Sequence, residues 1–287
     1  MMPLAAGQAT AKPVNGVFEL AAVRYDTMRD ISYADGARHK LDVYQPRGAA
    51  GAPVIVFFYG GSWQIGRKGW YRFLGATLAA RGYVVVVPDY RLYPEVKFPE
   101  FLMDGARALR WTHDNIAAFH GNPRRLFVMG HSAGAHIAAM LALDAKWLDE
   151  VGLQPNRDVA GLIGLSGPYD FLPLKDATLT VIFGGANRPV TQPISFAEGR
   201  KPPALLLTGA TDDTVDPGNS TRLAEKLRRH GNDATEVVYP RLGHMTIMAA
   251  LIPVLGRFFP LLHDMDAFIQ RTRPSVEQRT GDKAALP

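Results

Sequence analysis

The sequence predicts an α/β fold with a mostly parallel central sheet and helices on both faces. Three observations carry that prediction. Short apolar runs recur along the chain, most of them are apolar throughout rather than alternating, and helix-length segments separate them. A strand covered on both faces has no reason to alternate, whereas a strand with one wet face does. Strands that take turns with helices give a parallel sheet, because the helix is the crossover that returns the chain to the same end of the sheet.

In chain order, residues 40–44 alternate and predict an edge or antiparallel strand. Residues 54–58, 83–87, 126–129, 160–165, 204–207 and 235–239 predict buried strands. The first helix, 67–80, runs into Arg81-Gly82. The second, 101–119, follows Pro99 and ends near His120-Gly121. Residues 133–143 form the third, and 220–229 the fourth, closed by Gly231. The region 248–271 follows and stops before Pro274; glycine and proline are the expected terminators. The alternation leaves no room for a second core, so one domain is expected over residues 17–272, with 1–16 and 275–287 as loose ends.

At 287 residues, 47% hydrophobic and 21% charged, the chain is not a disordered or fibrous protein. It has no cysteine, which excludes a disulfide framework, cysteine-held zinc or iron–sulfur, and a cysteine nucleophile. The net charge is +5, but the basic residues are scattered, with pairs such as Arg124-Arg125 and Arg228-Arg229 as the longest runs. Nucleic acid is therefore not an expected partner. No metal-ligand spacing, phosphate loop or dinucleotide fingerprint occurs. The start lacks the basic, then apolar, pattern of a secretory signal, and a cytoplasmic location is expected. Residues 245–262 are the one membrane-like stretch. Pro253, Arg257 and Pro260 interrupt it, so it predicts a buried, kinked helix and no membrane insertion. This apolar segment serves either a homodimer interface or the core alone.

The chemistry begins at Gly130-His131-Ser132-Ala133-Gly134, a G-x-S-x-G between a predicted strand and a predicted helix. A serine on such a turn is strained and stands above the sheet, with the helix N-terminus beneath it favouring negative charge. After an earlier strand comes Tyr59-Gly60-Gly61-Ser62-Trp63. Acyl transfer builds charge on a carbonyl oxygen, and main-chain N–H groups must already point there. Gly61 and Ser62 are assigned as donors, with Ala133 as the third.

Serine needs a base, and the base needs an orienting acid. In this fold class the order is serine, acid, histidine, which leaves His230, His244 and His263. His230 ends a helix and His263 lies in the C-terminal helical region. His244 follows the strand ending at Tyr239, where sites of open α/β sheets lie, so it is the assigned base. The acid belongs after the strand at 204–207, where Asp212, Asp213 and Asp216 stand. Asp212 is nearest the strand end and is favoured, Asp213 is its rival, and Asp216 before Pro217 reads as a turn or helix-start residue.

YGGSW, DYRLYPE (89–95), GHSAGAH, GATDDTV and the later Gly243-His244 together resemble the α/β-hydrolase superfamily. They are most similar to small carboxylesterases near the hormone-sensitive-lipase and carbohydrate acetyl/feruloyl esterase branch. The resemblance covers roughly residues 30–272. It implies hydrolysis of carboxylic esters through an acyl-enzyme, without metal or organic cofactor, with Ser132 as nucleophile, His244 as base and Asp212 as its partner. One departure stands out: Tyr59 occupies the place of the family's usual histidine, which puts in doubt whatever that histidine orients. Arylformamidases share the pattern and supply the alternative reaction. A non-catalytic ligand binder on the same fold is the reading from another class, and an intact triad argues against it.

The stretch 171–203 is where cap insertions belong, and it is too short for a large lid. An open site with no large cap domain is expected, taking a small-molecule or polymeric ester. Trp63, His131, Tyr169, Phe171 and Met245 are the expected walls, and no basic cluster marks an acidic substrate.

Overall fold

The computed structural model describes residues 25–272. Its strands are β1 (Tyr25–Ser32), β2 (Lys40–Pro46), β3 (Ala52–Phe58), β4 (Val84–Pro88), β5 (Gly121–His131), β6 (Gly161–Leu165), β7 (Ala204–Gly209) and β8 (Ala234–Tyr239). They form one sheet in the order β1-β2-β4-β3-β5-β6-β7-β8. β2 pairs antiparallel with both β1 and β4, and every other pairing is parallel. All residues of β4, β6 and β7 are buried. Since successive side chains point to opposite faces, both faces of the sheet are covered.

The helices are α1 (Arg72–Ala80), α2 (Glu100–Asn115), α3 (Ala133–Leu143), α4 (Ala145–Asp149), α5 (Pro155–Asp158), α6 (Ala177–Phe183), α7 (Gly218–Arg229), α8 (Thr246–Ala249), α9 (Pro253–Gly256) and α10 (Leu261–Arg271). Every residue of α3 is buried. It packs on β5 and β6 and against α2, so it is apolar all round rather than striped.

Register decides where the chemistry sits. Phe58 of β3 pairs with Gly130 of β5, which pairs with Gly164 of β6. The three strands therefore end level, and the loops that leave them emerge side by side. The Ser132 N–H donates to the carbonyl of Leu165 (2.9 Å), carrying the β5–β6 ladder one residue past the strand.

Four features differ from the sequence reading. β1 was not anticipated: it is mostly exposed and rich in charge, with no continuous apolar run. β5 reaches back to Gly121, beyond its apolar half. The predicted helices 67–80 and 101–119 are each part 3-10, at Lys68–Tyr71 and Ile116–Phe119. The predicted buried, kinked helix over 245–262 is instead the separate short helices α8 and α9, with α10 beginning only at Leu261. Pro253 starts α9 and Pro260 precedes α10, and Val254, Leu255 and Phe258 are exposed rather than buried. Among the described residues no helix is long and apolar enough to cross a membrane. The expected loose ends, and residues 17–24 of the expected domain, lie outside the described residues.

Candidate active site

Ser132 lies between β5 and α3 with φ 53° and ψ −123°. That backbone is strained for any residue with a Cβ, at a cost on the order of 1–3 kcal/mol. The neighbours hold it. A Cβ on Gly134 would overlap the carbonyl of Phe58, so the first turn of α3 touches the end of β3 only because that position is glycine. The contact also brings residues 59–63 against the serine: a Cβ on Gly60 would sit 2.9 Å from Cβ of Ser132.

The 59–63 loop turns back on itself through three consecutive positive φ values, at Gly61 (125°), Ser62 (52°) and Trp63 (58°). The carbonyl of Gly61 accepts from the N–H groups of Gln64 and Ile65 (2.9 and 3.0 Å), closing the turn. Among the described residues, the N–H groups of Gly61, Ser62 and Ala133 donate to no protein acceptor. Ser62, Ala133 and Ser132 line one cavity. Unpaired donors beside a strained serine are what an oxyanion needs.

Tyr59, in the place of the usual histidine, points away from this cavity. Its ring stacks on Tyr71 and Tyr90, with centroids 5.6 and 4.6 Å away. Its hydroxyl donates to Asp89 Oδ1 and accepts from Arg38 Nη2, both at 2.8 Å. Tyr90 returns a hydroxyl bond to the carbonyl of Tyr59 (2.6 Å). Burial, with the Asp89 charge beside it, pushes the Tyr59 phenol far up, so it stays a neutral donor. Asp89 thus anchors the base of the loop. The next residues fix the loop after β4, where Arg91 grips the buried Asp104 through Nε and Nη2 (2.9 and 2.7 Å).

His244 Nδ1 donates to Asp212 Oδ2 (2.9 Å), with Oδ1 at 3.1 Å, and both residues are buried. Asp212 Oδ1 also accepts from the N–H groups of Thr214 and Val215 (3.0 and 2.9 Å). Burial raises the Asp212 pKa. The Val215 N–H and His244 more than offset this and hold it below the usual carboxylate range. The rivals lie elsewhere. Asp213 is exposed and accepts from the Thr214 hydroxyl (3.2 Å). Asp216 accepts from Gly218 N (3.0 Å) at the start of α7. His230 and His263 are exposed, at the end of α7 and on α10.

Of the expected walls, Trp63 and Phe171 line the cavity, their rings stacked with centroids 6.1 Å apart. The other three do not. His131 is buried behind the serine, donating from Nε2 to the carbonyl of His244 (2.9 Å), its ring 4.8 Å from that of His244. It ties the elbow to the histidine loop, and its Nδ1 lies close against Gly60 of the 59–63 loop. Tyr169 is buried over Gly164 and Gly167, and Met245 faces outward at 66% exposure.

The cavity, about 670 Å³, has a second wall that sequence reasoning missed: Leu172 and Leu174, then Asp170, Asp216 and Arg222. Arg222 Nε donates to Asp170 Oδ2 (2.6 Å) and Nη1 to Asp216 Oδ2 (3.2 Å). These residues come from 168–176, from the loop before α7 and from α7 itself, which no local motif connects.

The BD-FAE family model matches residues 41–227, well over half of the chain; it takes in the 59–63 loop, Ser132 and Asp212 and stops short of His244. Among curated proteins, isoprenylcysteine alpha-carbonyl methylesterase ICME of Arabidopsis thaliana is 32% identical over 238 residues, 75% of this chain and 56% of that protein. Esterase LipQ of Mycobacterium tuberculosis is 30% identical over 249 residues, 78% of this chain and 58% of that protein. The chain thus spans a little over half the length of these relatives. Among solved structures, butyrate-bound esterase 2 of Thermogutta terrifontis superposes with a TM-score of 0.69 at 23% identity, covering 86% of this chain and 94% of that one. A truncated carbohydrate esterase from gut microbiota gives 0.74 at 21% identity, covering 87% and 96%. At such identities the structures speak for the fold alone. Fold and family agree: the chain belongs to the BD-FAE family and has the α/β-hydrolase fold.

Proposed function

We propose that the protein is a serine-dependent carboxylic ester hydrolase working through an acyl-enzyme. The observation that carries this reading is one juxtaposition. A strained Ser132 and the unpaired N–H groups of Ser62 and Ala133 border one cavity, with that of Gly61 next in the loop, at the sheet end where the buried Asp212–His244 pair also sits. Ser132 Oγ attacks the ester carbonyl while His244 Nε2 takes its proton. Asp212, ionised, holds Nδ1–H and stabilises the imidazolium. The N–H groups of Gly61, Ser62 and Ala133 receive the oxyanion. His244 then returns the proton to the leaving alcohol, and in the second half takes one from water as the acyl group leaves Ser132. The names of the curated relatives, methylesterase and esterase, support an ester as substrate. The open cavity, apolar at Phe171, Leu172 and Leu174, suits a small or freely accessible acyl or aryl group.

The test is hydrolysis of p-nitrophenyl esters from acetate to decanoate by wild type and Ser132→Ala. The expected result is a loss of kcat on the order of 10⁵-fold or more in the variant, with an unchanged melting profile. Equal rates in the two proteins would remove Ser132 from the mechanism. Turnover of an aryl formamide with none of any ester would replace the ester by an amide.

A further inference from the structure

We propose that residues 245–258 form a docking surface for an anionic lipid surface. The proposal is independent of the catalytic reading. The segment follows His244 directly and is the most exposed apolar part of the described protein. Met245, Val254, Leu255 and Phe258 are 66%, 60%, 43% and 61% exposed. Ile247, Met248, Leu251 and Gly256 of the same segment are buried, so it is seated on the core and its outward side chains are held there. Exposed aliphatic and aromatic groups concentrated in one short segment mark a surface that is covered in use.

Charge selects what covers it. Residues 237–263 contain no aspartate or glutamate, although the chain has 27. Arg241 and Arg257 are exposed within that run, and the Arg257 guanidinium lies over the Phe258 ring at 4.9 Å. A second copy docking isologously would set these arginines against the same segment, which carries no carboxylate of its own. A bilayer with anionic headgroups accepts both components, apolar side chains into the acyl boundary and guanidinium groups among the phosphates. The helices involved are too short to span, so the docking is peripheral.

The test is flotation of the full chain with vesicles of phosphatidylglycerol and phosphatidylcholine in equal parts, against phosphatidylcholine alone. Wild type is expected to float with the anionic vesicles and to be released by salt. Leu255→Ser/Phe258→Ser should lose about tenfold or more in partitioning, and Arg257→Ala about fivefold. Each variant should keep the wild-type melting temperature and its rate on soluble p-nitrophenyl acetate. The Arg257→Ala arm decides the matter if the apolar variant does not fold. Absence of flotation, equal flotation of the variants, or equal binding to uncharged vesicles would overturn the proposal. So would a wild-type dimer that Leu255→Ser/Phe258→Ser dissociates without any vesicle binding.

Discussion

One side of the cavity, residues 59–63 and 130–134, is shaped by backbone; the facing side, 168–179 and 214–222, is shaped by side chains. On the first, the chain passes so close that Gly134 admits no Cβ, and Gly61, Ser62, Trp63 and Ser132 all hold positive φ. On the second, Asn219 Oδ1 accepts from the N–H groups of Tyr169 and Asp170 (2.9 and 2.7 Å), and Gln192 Oε1 from that of Phe171 (2.8 Å). A main-chain donor cannot be exchanged by substitution, whereas an amide or guanidinium brace can. The backbone side can therefore keep one reaction while the side-chain side changes what it recognises. Substitutions on the first should cost kcat or the fold, and on the second KM and preference.

The largest effect after that of Ser132→Ala tests the acid behind His244. Asp212→Asn keeps the shape but permits the wrong tautomer of His244, and kcat should fall about 10⁴-fold with KM within a few-fold. Steady-state kinetics on a short ester reads this, and a loss below tenfold would return the role to Asp213. Gly134→Ala comes next. It drives a methyl into the Phe58 carbonyl and should cost about 3 kcal/mol or more. Asn219→Ala, on the facing side, should cost about 1–3 kcal/mol by stranding two N–H groups. Urea unfolding of both ranks them, and the reverse order would undo the contrast.

His136 lies where the two sides meet. Its ring is edge-on to Trp63, Phe171 and Phe183, and Nε2 donates to the carbonyl of Thr191 (2.8 Å). Burial lowers its pKa to about 4, and burial together with the neighbouring His244 does the same to His131. Both are neutral in the folded state while the unfolded chain takes up protons below its ordinary value of about 6.5. The unfolded state binds more protons between those limits, so stability falls as pH drops from about 6.5 to about 4, by up to about 3 kcal/mol per histidine. Melting temperature against pH should show this slope in wild type and a shallower one in His136→Gln; parallel slopes would mean His136 charges inside the fold.

The sequence was most legible where the backbone governs. Gly130 to Gly134, the glycine loop, Asp212 and His244 are local signals, because a strand end, a turn and a helix start need particular residues in fixed order. His131 was read as a wall because its place in the motif says nothing of which way the side chain leaves the strand. Asp170, Asn219, Gln192 and Arg222 carry no signal at all: they make contacts across separations of 21 to 52 residues and share no period. Strand β1 failed for a related reason. It is an edge strand held by main-chain pairing and by Asp30 N–H donating to Asp42 (3.0 Å), and such a strand needs no apolar run. The 245–258 segment reads as core by composition, and only Pro253 and Arg257 hint that it cannot turn all its apolar groups inward.

The smallest effect should come from Phe171→Ala, and it is the sharpest probe of the division. Phe171 is half-buried, stacks on Trp63 and lines the cavity from the side-chain side. Removing the ring enlarges the cavity without touching the 59–63 backbone. Expected values are an unchanged kcat on the acetate ester, a KM raised about fivefold from the lost contact of about 1 kcal/mol, and a preference shifted toward longer acyl chains. The alternative is physical as well. Trp63 follows Ser62 in a strained turn, and if its ring needs Phe171 to hold that turn, the oxyanion donors move when Phe171 goes. In that case kcat would fall by the same factor on every ester with KM unchanged, and the side-chain wall would be part of the catalytic machinery rather than of recognition alone.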